Sequence, residues 1–237
     1  MLPEPETVAS QVLDVTGQHR PPTDVRAILR KWSQLSVVET DLDGDGFFID
    51  LGEVGGEIFV KKDKSESRKR FTLAHELGHY LLLSHIRMKV EKKEMENWCN
   101  RFASELLVPK TMLSQHLKSG GMKRLTDRIC EGPNVFGVSE QAFCLRAVRL
   151  FPLSILHVLL SDSKMAVVDE FRSQKLEEYL GVAEPILDSQ IQAFISDLAE
   201  AETEQQRQLK QFDRTWLVRR IYRNASMKKF LLVLLQR

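Results

Sequence analysis

Cysteine is scarce in this chain, and so are long apolar runs and any excess of charge. The three cysteines, Cys99, Cys130 and Cys144, cannot all pair, and no two stand in a Cys-x-x-Cys zinc knuckle. The longest uninterrupted apolar run, Phe230 to Leu235, is six residues, against roughly 20 needed to span a bilayer. The opening Met1-Leu2-Pro3-Glu4-Pro5-Glu6 has neither the basic start nor the apolar core of a secretory signal. With 34 basic and 33 acidic residues the formal net charge is +1, which excludes a globally basic nucleic-acid binder but leaves room for a local basic face. These absences predict a reduced, cytoplasmic protein with no membrane partner. What remains, 43% hydrophobic and 28% charged over 237 residues, is an ordinary globular composition with length for one large domain or two small ones.

The pattern along the chain predicts an α+β fold. Residues 7–33 carry helical spacing broken at Pro21-Pro22, with Thr23 a candidate N-cap. Val37–Thr40, Gly46–Asp50 and Glu57–Val60 read as strands between Gly- and Asp-rich turns. Helices are expected over about 69–84 and 91–107, the second stopped by Pro109. Shorter helices fill 110–150, with Gly120-Gly121 and Gly132-Pro133 as breaks. Beyond Pro152 a hairpin (153–160 with 165–171), a polar helix (187–210) and two strands (215–222, 229–236) follow. Charge divides as well: residues 169–204 hold ten acids, and 205–237 hold nine Lys or Arg against one Asp. A domain boundary near residue 150 is the expectation, giving domains 1–150 and 151–237.

The stretch Arg70-Phe71-Thr72-Leu73-Ala74-His75-Glu76-Leu77-Gly78-His79 contains His-Glu-x-x-His in a helical setting. Residues four apart share a helix face, so His75 and His79 can present their imidazoles to one metal ion. Glu76 lies about 100° around the helix, placed to reach a metal-bound water rather than to be an equal ligand.

Hydrolytic zinc usually takes three protein ligands and leaves a fourth position for water. His85 stands ten residues after His75, but Leu82 occupies the place where a turning glycine would bring a third histidine back. A helix continuing through Leu81–Leu83 carries His85 about 15 Å along the axis and some 80° off the His75 face. Glu96 is the other candidate. It shares a face with Asn100, whose amide could fix a ligand imidazole in its tautomer. Taken alone, Glu96 also reads as one of several solvated acids on a charged helix, with Glu91, Glu94 and Glu105.

Two motifs occur together, Arg-Phe-Thr-Leu-Ala-His-Glu-Leu-Gly-His and Glu96-x-x-(small)-Asn100-x-Phe102-Ala103-x-x-Leu106-Leu107-x-Pro109, with Cys99 in the small-residue place. In this pairing the chain resembles the ImmA/IrrE family of zinc metallopeptidases over roughly residues 20–150. The resemblance implies a thermolysin-like (gluzincin) core: a small β-sheet, the HExxH helix, a glutamate-bearing helix and further helices. A small C-terminal α+β sensor-like domain would follow. It makes Glu96 the third zinc ligand, Asn100 its supporting amide and Glu76 the catalytic base. It also suggests the substrate, a helix-turn-helix transcriptional repressor cleaved to relieve repression in a stress, DNA-damage or anti-phage response. Residues 110–150, and Val138–Leu150 most closely, resemble the helix-turn-helix-like segment that often follows the core in this family, with Ser139 as an N-cap; with only Arg146 and Arg149 as cations, it reads first as a packing or substrate-docking helix and second as a DNA reader.

Other signals carry alternatives. Asp41–Gly46 copies half a calcium loop but has Gly52 at the twelfth position, and reads as a hairpin turn. Cys130, in a loop-like stretch, could occupy the water position and hold the enzyme latent; otherwise it is a small buried residue. Tyr80, His116 and His157 are candidate oxyanion donors or plain structural residues. Arg214, Trp216, Arg219, Arg220, Arg223, Lys228 and Lys229 interleave cations with an aromatic, as single-stranded nucleic-acid binders do, or form the outer face of two strands. Rival functions are a toxin-like or general protease without a dedicated repressor, and a nucleic-acid-binding regulator with a structural metal site.

Overall fold

The computed structural model describes residues 2–86, 91–121, 124–151, 153–161, 164–171, 189–200, 207–211, 214–223 and 227–236. The fold is α+β, with eight α-helices among the described residues. The chain forms two compact units, Met1–Ser114 with Pro133–Phe143, and Gln115–Gly132 with Cys144–Arg237. Among the described residues no helix is long and apolar enough to cross a membrane.

The first unit starts with α1 (Pro5–Thr16) and α2 (Val25–Leu29). Proline opens α1, where its missing N–H is no loss, and Gly17 closes it in the left-handed conformation at φ 72°. Asp24, not Thr23, caps α2, accepting from the Ala27 amide at 2.9 Å. The Thr23 hydroxyl donates instead to the Leu106 carbonyl at 2.9 Å, a buried acceptor 83 residues away.

Strands β1 (Leu35–Thr40), β2 (Gly46–Asp50) and β3 (Gly56–Lys61) form a sheet in the order β1-β3-β2. β3 runs parallel to β1 (Val37 opposite Ile58) and antiparallel to β2 (Phe48 opposite Ile58). Residues 41–45 are therefore a link between the two outer strands, not the expected hairpin turn. The hairpin lies one step later, between β2 and β3. Gly55 allows it: at φ 112°, any Cβ there would stand 2.0 Å from the Gln34 carbonyl oxygen. The Gly56 amide then donates to that carbonyl at 2.9 Å, which seats β3 beside β1.

Helix α3 (Glu66–Tyr80) begins at the Ser65 cap and lies on the sheet. Ile58 and Val60 from β3 and Leu73, Leu77 and Tyr80 from α3 are all fully or almost fully buried. Tyr80 meets Phe48 edge-on, with ring centroids 5.8 Å apart. The backbone continues past Tyr80 as a π-helical turn, Leu81–Ile86, which contains His85; its side chain lies outside the described residues.

Helix α4 (Lys92–Leu107) packs on the other side of α3 through Cys99, Phe102, Ala103 and Leu106. The two backbones come close at Gly78. A Cβ there would lie 3.2 Å from the Cys99 sulfur and 3.3 Å from its Cα. Glycine on one helix and a small side chain on the other are what this distance permits. The chain start braces the outer face of α4: Trp98 Nε1 donates to the Pro3 carbonyl at 2.7 Å, and Arg101 pairs with Glu4 and Glu6 at 2.8 Å.

Helices α5 (Lys110–Lys118), α6 (Leu125–Phe136) and α7 (Glu140–Leu150) follow. Ser139 caps α7, accepting from the Ala142 amide at 3.2 Å. Helix α6 runs through Gly132-Pro133, so those residues are not the expected break, and Cys130 stands inside a helix rather than in a loop.

In the second unit, β4 (Leu153–Ser161), β5 (Lys164–Phe171), β6 (Arg207–Gln211), β7 (Arg214–Arg223) and β8 (Met227–Gln236) form an antiparallel sheet, ordered β5-β4-β8-β7-β6. Helix α8 (Ser189–Glu200) buries Ile191, Ile195 and Leu198 on one face. The expected polar helix to residue 210 is thus too long. Arg207–Gln211 pair with β7 instead, Leu209 opposite Trp216, giving β7 a neighbour where it would otherwise present an open edge.

Substituting Gly78 by valine should force α3 and α4 apart. The expected loss is about 1–3 kcal/mol of stability, read as a lower thermal midpoint. An unchanged midpoint contradicts the close contact.

Candidate metal centre

Helices α3 and α4 each place a pair of polar residues, one turn apart, on the faces they turn toward each other. From α3 come His75 and His79, and from α4 come Glu96 and Asn100. The Nε2 atoms of the two histidines lie 3.1 Å apart. Glu96 Oε2 lies 3.2 Å from His75 Nε2, and Glu96 Oε1 lies 3.6 Å from His79 Nε2. One donor atom from each of the three residues fits within 4.8 Å, the one such group of metal-ligating side chains among the described residues.

Three donors about 2.0–2.2 Å from one tetrahedral ion stand roughly 3.4 Å from each other. The observed separations straddle that value, so the donor set fits zinc in spacing and in chemistry. Asn100 adds a second sign. Its Oδ1 lies 3.0 Å from His75 Nδ1. An amide oxygen can only accept, so Nδ1 carries the proton, and Nε2 offers its lone pair to the centre.

Burial differs sharply within the site. The His75 and His79 side chains are 14% and 11% exposed, whereas Glu96 is 42% exposed, leaving that side open to solvent. Glu76 is buried, and desolvation, reinforced by the Glu96 charge, pushes its carboxyl up to about 7. Burial and the neighbouring His75 lower the pKa of His79, against the pull of Glu96, which keeps its ring neutral and able to ligate. Burial likewise raises the Cys99 thiol well above its ordinary value. This cysteine is helix packing, not a thiolate ligand.

The other candidates sit elsewhere. Tyr80 is buried against the sheet, and burial raises its hydroxyl pKa. His116, on α5, donates from Nε2 to the Arg128 carbonyl at 2.7 Å. His157, on β4, is buried edge-on to Phe171. Of the two cations of the helix-turn-helix-like segment, Arg146 is buried on α7, while Arg149 is exposed. Arg214, Trp216, Arg219, Arg220 and Arg223 lie on β7, and Lys228 and Lys229 on β8; their side chains lie outside the described residues.

Two charged side chains, Glu105 buried and Arg70 partly buried, escape a reading of local pattern. Glu105, grouped above with solvated acids, is 7% exposed and accepts from the Lys110 amide at 3.0 Å, capping α5. Arg70 donates to the carbonyls of Thr23 at 2.7 Å and Phe136 at 3.3 Å, fastening the approach to α2 and the C-terminal end of α6 to α3. Proline at 109, just before the capped amide, was the one local hint at Glu105.

Replacing Asn100 by alanine should weaken zinc binding about 10–100-fold by chelator competition; unchanged affinity removes the amide from the site. In the metal-free protein, Glu76 holds its proton more tightly when folded (about 7) than at the ordinary value of 4.5. Its contribution is thus fully present below about pH 4.5 and fades as pH rises to 7. The stability advantage of Glu76→Gln over wild type should therefore grow across that window, by up to about 3 kcal/mol. A flat difference contradicts the buried carboxyl.

No protein of curated function matches the chain in sequence. Among solved structures, a Mycobacterium tuberculosis transcriptional regulator matches with a TM-score of 0.51 and 15% identity, over 97% of this chain and 74% of that one. Identity so low speaks for the fold alone. Residues 34–148, which contain the whole of α3 and α4, match the family model of Peptidase M78, the IrrE N-terminal-like domain, so this span is a domain of the ImmA/IrrE family, a family of metallopeptidases.

Proposed function

We propose that this protein is a zinc endopeptidase of the gluzincin type, with a thermolysin-like core in residues 1–150. The observation that carries the reading is the convergence of His75, His79 and Glu96 within 4.8 Å beside the buried carboxyl of Glu76. A structural zinc site has no need of a buried base next to its ligands.

His75, His79 and Glu96 would hold the ion, and Asn100 would keep His75 in the ligating tautomer. Bound zinc would supply Lewis acidity, polarising the scissile carbonyl and acidifying the attacking water. Glu76 takes the proton from that water and passes it to the leaving amine. Its desolvated carboxyl suits both steps, because a group that releases a proton near neutrality can also accept one. The exposed side of Glu96 supports access for a peptide segment.

The substrate we propose is a helix-turn-helix repressor, cleaved to relieve repression in a stress, DNA-damage or anti-phage response in the cytoplasm. Family membership supports this choice. Residues 151–237 would form the regulatory, sensor-like domain, with single-stranded nucleic acid as its activator through the cations of β7 and β8.

Co-expression with a candidate helix-turn-helix repressor, with and without single-stranded DNA, tests the reading. Wild type should cleave the repressor, and Glu76→Gln should retain zinc while cutting about 10²–10⁴-fold more slowly. Equal cleavage by the two proteins contradicts the role of Glu76 and the peptidase reading with it.

A further inference from the structure

The face of α3 that carries His75 continues beyond the metal ligands. From Phe71 to Tyr80, only Phe71 and His75 escape burial. They are one turn apart on the same side of the helix. Their ring centroids lie 6.3 Å apart with the planes inclined by 35°. One further turn back, the Arg68 guanidinium sits 5.8 Å from the centre of the Phe71 ring.

That guanidinium is fastened. Arg68 Nε donates to Asp45 Oδ2 at 2.8 Å, and a terminal nitrogen makes a second, shorter contact with the same oxygen. Lys64 pairs with the other Asp45 oxygen at 3.0 Å. Asp45 is thus shared by two cations, so the cluster keeps a net positive charge, and its hold on Arg68 fixes the guanidinium beside the Phe71 ring. A partly open aromatic ring, fixed between a committed guanidinium and a candidate ligand imidazole, presents an apolar surface beside the reacting position.

We propose that Phe71, rimmed by Arg68, is the floor of a substrate subsite next to the metal, and that it selects a large apolar or aromatic side chain adjoining the scissile bond. This rests on the peptidase reading of the same site. The ring neither ligates nor closes the core. Its role is specificity: a flat apolar side chain stacks on it and displaces water, while a short one gains nothing there. Contact of this size is worth roughly tenfold in discrimination.

Two hydroxamates of different reach separate this from the reading beneath it. Acetohydroxamate has no group to lay on Phe71, whereas 3-phenylpropionohydroxamate carries a ring. Calorimetric titration of the zinc-loaded full-length chain should give tighter binding of the phenyl compound by about tenfold. In Phe71→Ala, with zinc content matching wild type, that ratio should fall to near one. Phe71→Gln keeps helix propensity, should lose the preference equally, and serves if the alanine variant does not fold. A wild-type ratio in the variant overturns the subsite and leaves the metal centre standing. Failure of zinc-loaded wild type to bind either hydroxamate overturns the metal centre, and the subsite falls with it.

Discussion

The contact between Gly78 on α3 and Cys99 on α4 sets the distance on which the rest of the site depends. With no side chain at 78 and a small one at 99, the helix backbones approach until a Cβ would be 3.3 Å from the opposing Cα. One residue on from Gly78 stands His79, and one on from Cys99 stands Asn100; Glu96 lies a turn earlier. Close packing therefore does two things at once. It removes apolar area from water along Phe102, Leu106 and Leu77, and it brings a carboxylate from one helix within 3.2 Å of an imidazole from the other.

The same packing makes the centre asymmetric. α3 has the sheet on one side and α4 on the other, so Glu76 loses its water and its carboxyl rises to about 7. Glu96, at the rim, remains solvated. Two glutamates on neighbouring helices thus differ in environment, and the difference sorts them: the exposed one suits a ligand whose charge an ion neutralises, the buried one a proton carrier. Binding of a doubly charged ion among His75, His79 and Glu96 would also ease the burial of the Glu76 charge, coupling metal occupancy to the state of the base.

Local geometry made much of this site readable. A spacing of four puts His75 with His79 and Glu96 with Asn100 whatever the rest of the chain does, and the strands and the two long helices follow from periodicity. The misreadings share one physical cause, a partner that the local pattern does not show. Thr23 looks like an N-cap, but the buried Leu106 carbonyl claims its hydroxyl and Asp24 does the capping. Asp41–Gly46 looks like a hairpin turn until β3 pairs in parallel with β1. Glu105 looks solvated until the chain turns at Pro109 and brings an amide to it. Residues 207–211 have helical composition but take the open edge of β7. That α3 and α4 would meet face to face was also a distant matter, foreseen only through resemblance to a family.

Zinc retention by wild type and Glu96→Ala, compared by native mass spectrometry after dialysis against trace zinc, bears most directly on the two-helix centre. One ion per wild-type chain and none on the variant is the predicted result. Full retention by Glu96→Ala would show that the ion is held without α4, and would contradict the site built between the two helices.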